Sequence, residues 1–193
     1  MYKKQMILQR ITSYLLLAFA ALVFVYSLGI MTDLYDSLYL ASSYKEGHRN
    51  YVEGASIYLD MQPFNQDLTT ASIILILSAV TLFVFKTHDR RKYYIANYIT
   101  VGINVILNVA VSVWALTNII AYKAQFLLID FVKLDKIATI YKINYTQSTF
   151  WFDAAWGVFI PLIVITALSI FNVIWKISLM RAEKKLIAEG KEA

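Results

Sequence analysis

Four long stretches without a single charged side chain constrain this sequence more than any other feature: about 11–31, 68–85, 95–121 and 154–175. A helix needs roughly 20 residues to cross a hydrocarbon core of about 30 Å. All four approach or exceed that length, and the shortest, the second, fits a locally thinned bilayer or a straighter helix. Inside lipid the backbone must satisfy its own hydrogen bonds, and runs this continuously apolar do so as helices, not as alternating strands of a barrel. The expected fold class is therefore all-α, an integral membrane protein of four transmembrane helices forming a single domain over 1–193. Composition agrees, with 59% hydrophobic and 16% charged residues against about 45–50% and 25% in soluble domains. Two Pro and six Gly exclude a disordered or collagen-like chain.

Lys3, Lys4 and Arg10 ahead of the first run also resemble a secretory signal, with Ser27 and Gly29 at the spacing of a weak cleavage site. The expectation is a retained first span. Orientation follows from the basic residues. With the N-terminus inside, Lys3, Lys4, Arg10, Lys86, Arg90, Arg91, Lys92, Lys176, Arg181, Lys184, Lys185 and Lys191 are cytoplasmic. Lys45, Arg49, Lys123, Lys133, Lys136 and Lys142 face out. That split of twelve to six among the 18 basic residues predicts both termini in the cytoplasm, the segments 32–67 and 122–150 outside, and 176–193 as a cytoplasmic tail. The net charge of +5 then reflects topology and contact with membrane lipids, not nucleic-acid binding. Tyr93, Tyr94, Trp151, Trp156 and Trp175 fall where interfacial belts are expected.

Several chemistries are excluded. With no Cys there is no disulfide, thiol nucleophile, Cys-ligated zinc or iron–sulfur cluster. His48 and His88 are the only histidines and neither lies in an apolar stretch, so no cofactor is expected. No metalloprotease, nucleophile-elbow or phosphate-loop motif occurs. No charged side chain lies in the middle of a span, which leaves a proton relay without a titrating group. Asp153 reads as a helix-start residue near the positive end of the dipole.

Two constellations stand out. Asn97, Asn104, Asn108 and Ser112 follow one another by seven, four and four residues, roughly along one face of the third span. Amides in lipid need partners, so this face is expected to meet other helices or another subunit, with a polar pore lining as the alternative. In the second outer segment Leu127, Phe131, Leu134, Ala138 and Tyr141 recur at helical spacing, which predicts an amphipathic helix. Its apolar residues Leu127, Phe131, Leu134 and Tyr141 are the expected contact face, toward the chain itself, the leaflet or a partner. The first outer segment is acidic and tyrosine-rich; helical turns are expected at both its ends, with Pro63 ending the second. Asn144, Tyr145 and Thr146 fit a glycosylation acceptor to which no function is attached.

Four spans with a longer first outer segment resemble claudin-like and tetraspanin-like proteins in outline, but the cysteine signatures of those outer loops are absent. The expected function is a non-catalytic accessory or regulatory subunit, contacting other membrane protein subunits of a larger assembly such as a transporter in a bacterial plasma membrane. The alternative is a small homo-oligomeric channel or solute carrier. A membrane enzyme is disfavoured by the missing nucleophile, metal and acid–base sets.

Overall fold

The computed structural model describes residues 2–42, 47, 49, 51–84, 95–141 and 146–190, and the side chains of these except 31–42, 84, 95, 96 and 141. The basic residues of 86–92, Tyr93 and Tyr94, and Asn144 and Tyr145 of the acceptor triplet lie outside the described residues, as does the side chain of Tyr141. The chain forms α1 (Lys3–Ser42), α2 (Ile57–Val84), α3 (Ile95–Phe126), α4 (Phe131–Tyr141) and α5 (Phe150–Ala188), with no strand among the described residues. All but α4 are long and apolar enough to cross a membrane.

Each long helix overruns the stretch that hydropathy marks. In α2 the overrun begins at Ile57, where Ile57, Tyr58, Met61, Phe64 and Leu68 are buried at steps of one, three, three and four. Such spacing lines one helix face and packs it against protein. Charged and polar residues on the opposite face mask that signal in a hydropathy reading. Pro63 lies inside α2 instead of ending it. The proline is exposed and removes one helical hydrogen bond near the helix start. Phe64 next to it stacks on Trp114 and Tyr122 at centroid distances of 5.1 and 5.4 Å, and this packing holds the turn together.

Contacts divide the chain into two compact units, to each of which α1, α2, α3 and α5 contribute a stretch. Unit 2 comprises Leu22–Ser72 and Val111–Phe159. Its helices close into a ring of neighbours. Thr69 Oγ1 of α2 donates to Ser27 Oγ of α1 at 3.1 Å, and Phe64 joins α2 to α3. Phe126 of α3 stacks on Phe152 of α5 at 5.2 Å, and Tyr26 of α1 packs edge-on to Phe159 of α5 at 5.8 Å. The Tyr26 hydroxyl donates to the Trp151 carbonyl at 3.0 Å, while the Trp151 indole fills the space where a Cβ on Gly29 would stand. Trp151, expected as a belt residue, is thus engaged with α1; Trp156 is exposed.

The amphipathic helix of unit 2 is shorter than expected. α3 ends at Phe126, a turn follows, and Asp130 starts α4 by accepting the Lys133 backbone N–H on Oδ1 at 3.0 Å, as an N-cap does. α4 turns Leu134, Ile137 and Ala138 inward, spaced by three and one. Ile129 in the preceding turn is buried against Gly54, whose φ of +80° favours glycine and where an added Cβ would stand 3.2 Å from Ile129 Cγ1. The turn before α4 therefore packs on the stretch that precedes α2.

Unit 1 comprises Met1–Ala21, Ile73–Ala110 and Ile160–Ala193. Here Tyr14 of α1 stacks on Phe83 of α2 at 5.3 Å, and the Tyr2 hydroxyl donates to Glu183 Oε2 of α5 at 2.6 Å. The expected tail is simply the continuation of α5.

Candidate functional site

The two units differ in what they bury. Among the described residues, buried polar side chains in unit 2 are limited to Ser27, Ser72 and Ser112. All the others, amides and threonines foremost, belong to unit 1, where buried apolar side chains are few. Two hydrogen-bonded groups make up much of that polar interior.

The first is on α3. Asn104 Nδ2 donates to Ser78 Oγ of α2 at 2.9 Å, and Asn104 Oδ1 accepts from Asn108 Nδ2 one turn on at 3.0 Å. Asn97, Asn104, Asn108 and Ser112 are all at most 2% exposed. Yet the four are not equivalent. Asn97 Nδ2 and the Ser112 hydroxyl oxygen are buried with no hydrogen-bond partner, so the linked group is Ser78, Asn104 and Asn108.

The second group pairs α1 with α5. Gln5 and Gln9 lie one turn apart on α1, as Asn172 and Lys176 do on α5. Gln5 Nε2 donates to Asn172 Oδ1 at 2.7 Å and to Gln9 Oε1 at 3.0 Å. Asn172 Nδ2 returns a bond to the Gln5 carbonyl at 3.1 Å, and Lys176 Nζ reaches Gln9 Oε1 at 3.4 Å. Gln5 Oε1 is left buried without a partner. Lys176 has no exposed surface, so its expected place on a solvated tail is corrected. It is the one charged side chain among the buried residues described. This tetrad is not evident in the sequence, because polar residues at the ends of spans ordinarily meet headgroups. The i, i+4 spacing within each pair was the available signal.

Of the four residues expected to form a contact face, the side chains of Leu127, Phe131 and Leu134 are described and differ in burial. Leu134 is buried, Phe131 is half-buried and stacks on Phe126 at 5.4 Å, and Leu127 lies in the turn before α4 with its side chain 60% exposed. The break at Asp130 changes the phase of the helix and parts Leu127 from the others. The exposed apolar residues here are instead Leu127, Leu128, Val132 and Ile140. Nearby, Lys123 of α3 pairs with Asp153 in the first turn of α5, and Asp153 also accepts from Thr149 Oγ1 at 2.7 Å. Asp153 thus serves a helix start and a link to α3 together.

Fold and interior define a class: an all-helical protein with four helices of membrane-spanning length and apolarity, polar inside one compact unit and apolar inside the other. Neither a family model nor a curated protein nor a solved structure matches the chain.

Proposed function

We propose that the chain is a non-catalytic accessory or regulatory subunit of a larger membrane complex, a transporter assembly in the first instance. It sits in a bacterial plasma membrane with both termini cytoplasmic, the orientation that the basic residues favour. One observation supports the reading: the helices are longer than a hydrocarbon core requires, which leaves room for an apolar surface beyond it. α3 has 32 residues, or about 48 Å at about 1.5 Å per residue, against a hydrocarbon core of about 30 Å. Counted from Ile95, beside the basic residues of 86–92, a crossing of about 20 residues ends near Trp114. Counted back from Lys176 along α5, it ends near Trp156. Both tryptophans are partly exposed, as belt residues are. Phe126 then stands about 18 Å past a crossing that ends at Trp114, and about 8 Å past the end of the apolar run at Ala121. Leu128, Val132 and Ile140 in the following segment are 76%, 71% and 72% exposed. Single exposed apolar residues are ordinary, but several within one short segment that already buries its other face mark a contact surface.

The test is purification in mild detergent at native abundance. Stoichiometric recovery of another membrane subunit, lost when Val132→Asp and Ile140→Asp are combined, supports the reading. Recovery of a homo-oligomer alone that moves solute in liposomes overturns it in favour of a small carrier. That second reading draws on the unpartnered Gln5 Oε1 and Asn97 Nδ2 inside unit 1, groups that a polar solute or water would satisfy. Orientation is checked separately. In this cysteine-free chain, a cysteine placed at Ser56 or Thr139 reacts with an impermeant reagent from outside, and one at Thr87 does not. The reverse pattern inverts the topology.

A further inference from the structure

The exposed Leu127 and Leu128 adjoin a feature of opposite character. Leu128 forms one wall of a half-open pocket of 210 Å³, whose other walls include Glu53 and Ser56 in the turn before α2, Asp60 in its first turn and Gln125 at the end of α3. Sites for free small molecules run from about 300 to 1,000 Å³ and enclose most of the ligand. A smaller, open pocket suits one side chain of a larger partner. The walls are held in place, since Gly54 packs on Ile129 and Tyr122 donates its hydroxyl to the Asp60 carbonyl at 3.1 Å.

Charge says what enters. Glu53 and Asp60 are both exposed, and neither carboxylate is engaged in an ion pair among the described residues. The positive end of the α2 dipole, equivalent to about half a charge, offsets only part of the two negative charges. On the accessory-subunit reading the pocket lies beyond the hydrocarbon core and faces a partner protein. We propose that the pocket and the exposed leucines beside it dock a segment of a partner protein that inserts one arginine between Glu53 and Asp60 while apolar neighbours cover Leu127 and Leu128. Arginine fits on three counts. Its planar guanidinium offers five donors to two carboxylates, its stem is apolar enough to lie along Leu128, and it is enriched where a single side chain anchors an interface.

The inference rests on the accessory-subunit reading, and its test is independent of recovering that partner. The full chain in detergent is titrated into two fluorescein-labelled peptides, one with a single arginine flanked by leucines, the other its neutral citrulline twin. At low salt the arginine peptide binds about tenfold more tightly, the ratio expected for a charge-assisted pair against a neutral one. Glu53→Gln combined with Asp60→Asn abolishes the preference, with helical circular dichroism unchanged. Asp67→Asn, an exposed acid of α2 outside the pocket, preserves it. Leu128→Ser weakens both peptides alike. Equal binding of the twins, or a preference that survives the double variant, overturns the proposal. If the preference holds and no subunit co-purifies, the accessory reading fails and the pocket stands. If a subunit co-purifies equally well with the double variant, the pocket fails and the accessory reading stands.

Discussion

Asn97 and Asn104 occupy the same helix face seven residues apart, both 2% exposed, and their surroundings predict opposite responses to the same substitution. Leucine has the branched shape of asparagine without its polar atoms. At position 104 it removes the bond to Ser78 and the bond from Asn108. Interhelical and side-chain bonds in membrane bundles average about 0.6 kcal/mol with a maximum near 1.7, so two cost about 1.2 to 3.4 kcal/mol. The Asn108 amide N–H group is then orphaned, adding about 1 kcal/mol or more. At position 97 no bond to Nδ2 is lost, because none is made, and a buried unsatisfied donor disappears. The apolar gain of Asn→Leu is common to both sites and cancels in the comparison. Asn104→Leu is therefore expected to be less stable than Asn97→Leu by about 2–4 kcal/mol. Unfolding in mixed micelles by stepwise addition of a denaturing detergent, followed by circular dichroism, measures the difference. Equal midpoints for the two variants, or a larger loss at Asn97, would refute the assignment of partners along α3.

Three further outcomes follow from particular contacts. Gly29→Ala gains about 1 kcal/mol of helix propensity but meets the Trp151 indole. Overpacking of this kind costs about 1–3 kcal/mol, so a net loss is expected that Gly29→Ala combined with Trp151→Leu recovers; absence of coupling in that double-mutant cycle argues against the contact. Asp130→Ala removes the N-cap of α4 and is expected to cost about 1 kcal/mol, read as faster amide exchange in α4 with the long helices unchanged. Uniform exchange throughout the chain would contradict a local cap. The Lys123–Asp153 pair is partly exposed, so a cycle with Lys123→Met and Asp153→Asn should give a coupling below about 1 kcal/mol that shrinks with added salt. A large, salt-insensitive coupling would mean that the pair is shielded from water.

The sequence by itself determined the number of long helices and their approximate centres, because lipid removes every alternative to backbone self-satisfaction and uncharged runs of about 20 residues are rare otherwise. It also placed Asn97, Asn104, Asn108 and Ser112 on one face, since helical spacing needs no tertiary information. It did not determine where the helices end. The extensions at Ile57 and Phe126 are stabilised by packing on protein, and a hydropathy reading is blind to a half-polar helix that buries only one side. Nor could it separate Asn104 from Asn97, for the partner of the first, Ser78, is 26 residues away and the second has none for its Nδ2. Lys176 gives the sharpest contrast. At the end of an apolar run a lysine ordinarily snorkels to water, yet Gln5 and Gln9, 167 residues away or more, bring amides to Asn172 and Lys176, and a side chain that reads as exposed becomes part of the interior. Local spacing encodes faces, but only the approach of distant segments decides which face is covered and by what.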